Sequence, residues 1–209
     1  MTVTMPAKER LLQLLHLLEK SSGQPVTSAQ LENLTGWSRE TIRKDISCLN
    51  GGADGAVIGG NAGYEPETLI PLIKKALGLD RLRKFCVVGL GRLGSAYLNF
   101  TPPELADFEL AAGFDSNVNR VEILNAPVPL FPAYKMAEVI SRLGIEIAVL
   151  CVPANAAQAV AEKCAAAGIR GILNFAPVAL NLPADIAVRN MFVTDDLRYL
   201  AIKIKANGA

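Results

Sequence analysis

Three glycines spaced as G-x-G-x-x-G, Gly89, Gly91 and Gly94, follow the apolar run "FCVVGL" and open a stretch with helical patterning. Few folds admit a strand that enters a helix through this spacing. The first glycine permits the tight turn, the second bares the backbone where a ligand must approach, and the third lets the helix lie close on the strand. N–H groups left unpaired in the first helical turn then face outward, which suits a pyrophosphate. Asp115 ends the next apolar run, "FELAAGFD", about 20 positions further on, where a carboxylate reaches an adenosine ribose and repels a 2′-phosphate. The pattern points to NAD(H) over NADP(H). A glycine turn needed only for packing meets the same spacing, as does a site for S-adenosylmethionine or a coenzyme A-type nucleotide.

The run continues as "VPLF", "IEIAVLCV", "GILNF" and "IAVRNMFV", each separated from the next by a helical stretch. Strands so continuously apolar are covered on both faces, which predicts a parallel sheet with helices on either side. Residues 1–64 follow another grammar than residues 84–190. Leu11, Leu14, Leu15 and Leu18 recur at helical spacing after Pro6, and "TSAQ" at 27–30 has the spacing of a capping box. A third helix starts with Ser38 as N-cap and puts Ile42, Ile46 and Leu49 on one face. Two short helices about a glycine-containing turn make a helix-turn-helix, and "GGADGAVIGGNAGY" after it reads as a small hairpin or wing. A helix over Glu67–Leu79 leads onward. The expected fold class is α/β: a winged helix-turn-helix with a linker helix (1–80), a Rossmann-like parallel-sheet domain (81–194) and a C-terminal helix (195–209).

Charge excludes one simple function. With 21 basic and 20 acidic residues the net charge is +1, so no whole-chain field holds nucleic acid or an anionic membrane. Cys48, Cys86, Cys151 and Cys164 form no C-x-x-C and read as core thiols of a reducing compartment. No metal site is expected. The first residues lack a secretory pattern, and no apolar run reaches the ~18 residues of a membrane helix. The expected location is the cytoplasm. Hydride transfer needs an acid or base at the substrate carbonyl. The lone histidine, His16, sits in the leucine-rich first helix, and Tyr199 and Lys203, at Y-x-x-x-K spacing, fall at the far C-terminus. The nucleotide is expected to be read and not used, with no catalytic residue.

Taken together, "TIRKDIS", Gly63-Tyr64, "VVGLGRLGSA", "GFD", "IAVLCVPANAAQ" and above all "AGIRGILNFAPVAL" at 167–180 resemble the Rex family of redox-sensing transcriptional repressors along nearly the whole chain. The resemblance implies a homodimer with an N-terminal winged helix and an NAD(H)-binding Rossmann domain, released from palindromic operator DNA at a high NADH/NAD⁺ ratio. It also implies that the last helix packs on the partner subunit. Carried over, Gly89, Gly91, Arg92, Leu93 and Gly94 would hold the pyrophosphate and Asp115 the ribose. Val152, Pro153, Asn174 and Phe175 would lie near the nicotinamide, and Ser38, Arg39, Thr41, Arg43, Lys44 and Ser47 would face DNA. The chain departs from the family in two places. Its wing has Asp54 and no basic residue, leaving six basic and six acidic groups in residues 1–64, and Phe100 and Phe192 stand where a Tyr–Asp contact between subunits is usual. These departures imply weaker DNA binding and a smaller response to NADH. The alternative is an NAD(H)-binding relative with weakened or lost DNA binding that acts through a protein partner.

Overall fold

A computed structural model of the chain describes residues 3–21, 23–50, 63–100 and 106–207. The chain divides between Arg81 and Leu82 into two units with separate cores, one residue beyond the expected boundary. In the first unit, helix α1 (Met5–Glu19) has Pro6 in its opening turn, where the missing N–H costs nothing. Its Leu11, Leu14, Leu15 and Leu18 are all buried, as their spacing predicts. Helix α2 (Ser28–Thr35) opens on the expected capping box: the Gln30 N–H donates to Thr27 Oγ1 at 3.2 Å and the Thr27 N–H to Gln30 Oε1 at 2.8 Å. It stops at Gly36, whose φ of 73° ends a helix without strain.

Helix α3 (Arg39–Ser47) is capped by Ser38, whose hydroxyl oxygen accepts the Thr41 N–H at 3.3 Å. Ile42 and Ile46 bury against the α1 leucines, Leu31, and Leu69 and Ile73 of α4 (Pro66–Leu77). Leu49 packs against the same cluster but is only half-buried, because α3 ends at Ser47 and a tighter turn over Cys48–Asn50 shifts Leu49 to its margin. Val26 and Tyr64 exchange backbone N–H bonds of 2.9 Å in an antiparallel bridge. Of the expected wing, residues 51–64, only Gly63 and Tyr64 are described; residues 51–62 lie outside the described residues.

The second unit is a six-stranded sheet in the order β3-β2-β1-β4-β5-β6, every pairing parallel. Its strands are β1 (Arg83–Val88), β2 (Phe108–Asp115), β3 (Leu130–Pro132), β4 (Ile147–Leu150), β5 (Gly171–Asn174) and β6 (Ala187–Asn190). Successive β1 residues feed opposite faces. Cys86 and Val88 join Phe114, Ala148 and Leu150 beneath α7 (Met136–Leu143) and α8 (Ala154–Ala166). Phe85 and Val87 join Val149 and Leu98 on the face covered by α5 (Arg92–Leu98). Each face is thus buried, which is what the unbroken apolar runs require. A short helix, α6 (Val118–Ile123), follows β2. Helix α9 (Val193–Asn207) begins two residues before the expected start because the Phe192 carbonyl accepts the Asp195 and Asp196 N–H groups.

One charged pair fixes α3 within its unit. Arg10 Nε and a terminal guanidinium nitrogen donate to the two Asp45 carboxylate oxygens at 2.6 and 2.8 Å, and Asp45 is buried. Removing one partner of such a pair leaves a buried charge without compensation, which costs more than the pair itself contributes. Arg10→Ala is expected to lower the unfolding free energy by about 1–3 kcal/mol. Urea titration checks this, and the double substitution Arg10→Ala/Asp45→Ala should recover part of the loss.

Candidate functional site

From β1 the chain steps outward to β2 and β3 and then returns to β4 on the other side of β1. The carboxyl ends of β1 and β4 therefore flank a crevice where connections depart in opposite directions, the usual ligand position in such sheets. Backbone bonds hold its loops as continuations of the strands: the Gly89 N–H donates to Phe114 O (2.8 Å), Cys151 N–H to Val88 O (2.8 Å) and Phe175 N–H to Leu150 O (2.9 Å).

The three glycines occupy places that other residues could not share, or leave space open. Gly89 has φ +90°, and a Cβ there would lie 2.6 Å from the Cys151 carbonyl oxygen and 2.8 Å from Val152 Cγ1. A Cβ on Gly94 would collide with the Gly89 carbonyl, so α5 lies on the turn itself. Gly91 differs: among the described residues, its chain neighbours aside, nothing lies within 4 Å of where its Cβ would be. The empty space at Gly91, beside exposed Arg92 and Leu93, fits a diphosphate approaching the backbone.

Asp115 ends β2 and is buried. Its Oδ2 accepts the Leu90 N–H at 2.6 Å and an Arg120 guanidinium N–H at 3.0 Å, and its Oδ1 accepts the Asn117 N–H at 2.7 Å. Burial pushes the carboxyl pKa up, but the Asn117 and Leu90 donors together with Arg120 outweigh burial and hold it below its ordinary value of 3.8. An ionised carboxylate offers about four acceptor positions, so Oδ1 keeps one for a hydroxyl. Arg120 escapes a reading of the sequence by motif; the only local signal is Asn117, which caps α6 by accepting the Arg120 N–H at 3.3 Å and turns the chain back toward Asp115.

At the other end of the crevice Val152 packs over Gly89, and Pro153 is exposed at the start of α8. Asn174 is fully buried, with its amide spent internally: it donates to Val178 O (2.8 Å) and Asn190 Oδ1 (2.9 Å) and accepts the Ala176 N–H (3.0 Å). It shapes the loop that carries Phe175, and its own polar atoms face the protein. Phe175 meets Tyr97 of α5, ring centroids 5.2 Å apart, a pairing that no motif announces.

On α3, Arg43, Lys44 and Ser47 are exposed. Arg39 is exposed but its Nε donates to Glu32 at 2.6 Å. Ser38 and the half-buried Thr41 are engaged with each other in the cap, hydroxyls 3.1 Å apart, and the Ser47 hydroxyl donates to Lys44 O. Cys86 and Cys164 are buried and Cys48 and Cys151 half-buried, all free thiols. His16 is exposed on α1. Lys203 lies 5.5 Å over the Tyr199 ring on α9, both on a helix whose described side chains are exposed. Phe100 is exposed and Phe192 half-buried. Among the described residues, no cluster could hold a metal ion, and no helix is long and apolar enough to cross a membrane.

Family models described as an HTH domain and a CoA binding domain match residues 10–62 and 80–178. The redox-sensing transcriptional repressor Rex of Levilactobacillus brevis is 33% identical over 186 residues, covering 89% of this chain and 85% of that protein. Two solved structures of RSP, a Rex-family repressor, each cover the whole chain. The one in complex with beta-NADH matches with a TM-score of 0.81 and 29% identity over 97% of its own chain. The one with beta-NAD⁺ and operator DNA gives 0.83 and 28% over 95%.

The Asp115 geometry has a pH consequence. Its folded pKa is depressed, so its contribution to stability is complete above the ordinary carboxylate value and is lost as pH falls through the folded one. Asp115→Asn is expected to flatten the acid limb of the stability profile below about pH 4. Thermal unfolding of both proteins from pH 7 to pH 2.5 checks this.

Proposed function

This chain belongs to the Rex family of redox-sensing transcriptional repressors, and from that premise we propose that it is a cytoplasmic homodimer that binds NAD(H) and releases palindromic operator DNA when the NADH/NAD⁺ ratio is high. The reading is carried by one observation: the likeness to a repressor solved with dinucleotide and operator extends over the whole chain, not over its nucleotide-binding half alone.

In this reading Gly89, Gly91, Arg92, Leu93 and Gly94 hold the pyrophosphate, and Oδ1 of Asp115 accepts a ribose hydroxyl. Val152, Pro153 and Phe175 frame the nicotinamide end, with Asn174 acting through the loop it braces. The bound dinucleotide supplies two charge states at its nicotinamide ring, positive in NAD⁺ and neutral in NADH, and no bond is made or broken. Tyr199 and Lys203 take no catalytic part.

Helix α9 supports the dimer. Val193, Leu197, Leu200 and Ile204 recur at helical spacing and are 54–73% exposed. A second copy gives this stripe the burial it lacks. On α3, Arg43 and Lys44 make the main phosphate or base contacts, assisted by Ser38, Thr41 and Ser47. Arg39 contributes by exchanging Glu32 for a phosphate. Because only six basic groups stand against six acidic ones in residues 1–64, the interaction with DNA is electrostatically weak. That balance is the specific observation favouring the second reading, an NAD(H)-binding relative acting through a protein partner.

Anisotropy titration of a palindromic, AT-rich operator at low salt separates the two readings. Binding that NADH weakens, at the lower end of the ~5–150-fold typical of coupled sites, supports the repressor; no binding at any salt or nucleotide level favours the partner protein. Arg43→Ala and Lys44→Ala should each reduce the salt slope by about one, as expected when a cation no longer neutralises a phosphate. The double substitution Leu197→Glu/Leu200→Glu is expected to give a monomer by sedimentation velocity, whereas an unchanged dimer would remove α9 from the interface.

A further inference from the structure

We propose that Tyr97 is the residue that makes the crevice prefer the neutral, reduced nicotinamide ring over the charged, oxidised one. The assignment rests on the reading of the crevice as an NAD(H) site. Tyr97 lies on α5 three positions after Gly94, and its side chain crosses toward the far strands of the sheet. Its ring meets Phe175, the first residue after β5, at 5.2 Å and 46°, and Phe100 edge-on at 6.0 Å and 78°. Cys151, the first residue after β4, belongs with Tyr97 and Phe175 to the same apolar cluster beside Val149 and Leu98. Three segments that leave the sheet at different points thus converge on one half-buried aromatic wall, at the end of the crevice away from Asp115.

The wall is poor in charge. Burial first, and the Cys151 thiol second, raise the Tyr97 phenol above its ordinary pKa, and burial alone pushes the Cys151 thiol up to about 11. Among the described residues, neither group feels a carboxylate or a cation, and both are neutral at pH 7. A pyridinium placed here loses water without gaining a counter-ion, whereas a dihydropyridine of the same shape loses little. Aromatic faces attract a cation, but Tyr97 and Phe175 are tilted toward each other and that attraction returns only part of the lost hydration. The difference falls on the ring's charge alone, so it distinguishes the two redox states while leaving the adenosine and diphosphate contacts unchanged.

Calorimetric titration of the full-length protein with NADH, NAD⁺ and ADP-ribose tests this, since ADP-ribose carries every group of the dinucleotide except the nicotinamide. The unaltered protein is expected to bind NADH at least about tenfold more tightly than NAD⁺. Tyr97→Ala, which admits water beside the ring, should reduce that ratio severalfold and leave ADP-ribose affinity within about twofold. Tyr97→Phe keeps the wall and should keep the ratio. A ratio unchanged in Tyr97→Ala overturns the assignment, as does a parallel loss of all three ligands, which would mark a purely structural residue. A Tyr97→Phe protein as impaired as Tyr97→Ala overturns the wall in favour of the hydroxyl. If the unaltered protein binds none of the three, the NAD(H) reading itself fails and this assignment falls with it; ADP-ribose binding without selection between NADH and NAD⁺ overturns only the assignment.

Discussion

The crevice depends on how closely α5 approaches the turn that precedes it. The absence of a side chain at Gly94 lets the helix rest on the Gly89 carbonyl, and the absence of one at Gly89 lets the β4 loop pass its Cys151 carbonyl across the same turn. In both places backbone fills the room a side chain would take, so neither approach can be relaxed by a rotamer change. Because the loops after β1 and β4 are locked to each other here, the open space at Gly91 has a fixed floor. The aromatic residues further along α5 and after β5 are then delivered to one side of it. A single methyl at Gly94 would displace the helix, and with it Tyr97, from the turn, and one at Gly89 would displace the loop after β4.

The buried polar side chains among the described residues are Asp45, Asp115 and Asn174. Each is hydrogen-bonded, and each fixes a segment that the function needs. Asp45 ties α3 to α1 through Arg10, Asp115 ties the glycine loop and the start of α6 to the end of β2, and Asn174 braces the loop bearing Phe175. A buried polar group is costly unless satisfied, and when satisfied it admits few geometries. The chain uses that intolerance where packing alone would leave a helix or loop several positions. The same reasoning separates two kinds of residue within the crevice: Asp115 has one acceptor position unfilled among the described residues, which the proposed ribose would take, whereas the Asn174 amide is committed to the protein.

What was legible from the sequence followed from local periodicity. The six apolar runs became six strands, the Thr27–Gln30 spacing became a capping box, and the α1 leucines became a core face, because each depends on neighbours in the chain. What escaped depends on pairs brought together by folding. Arg120 neutralises Asp115, Glu32 holds Arg39, and Tyr97 meets Phe175; no spacing rule foretells any of these, since an arginine on a short helix and a tyrosine on an amphipathic one look alike wherever they point. Leu49 packs at the margin of the core and not within it for a subtler reason. Its helical phase was right for a longer α3, but the helix closes into a tighter turn at Cys48, and the phase no longer applies.

Helix α9 joins the separate parts of the proposed mechanism through its own instability. A 15-residue helix is marginal in water without packing, and the exposed stripe from Val193 to Ile204 gains little from its own chain. In the proposed dimer, its helicity and its burial against a second copy are therefore one equilibrium, and whatever favours that dimer favours the ordered helix. The helix begins immediately after Phe192, two positions beyond Asn190, whose side-chain oxygen accepts from Asn174. The brace behind Phe175 is thus only three residues from the start of α9. In the proposed dimer, the Phe175 loop and the stripe of α9 are therefore separated by one short, hydrogen-bonded segment.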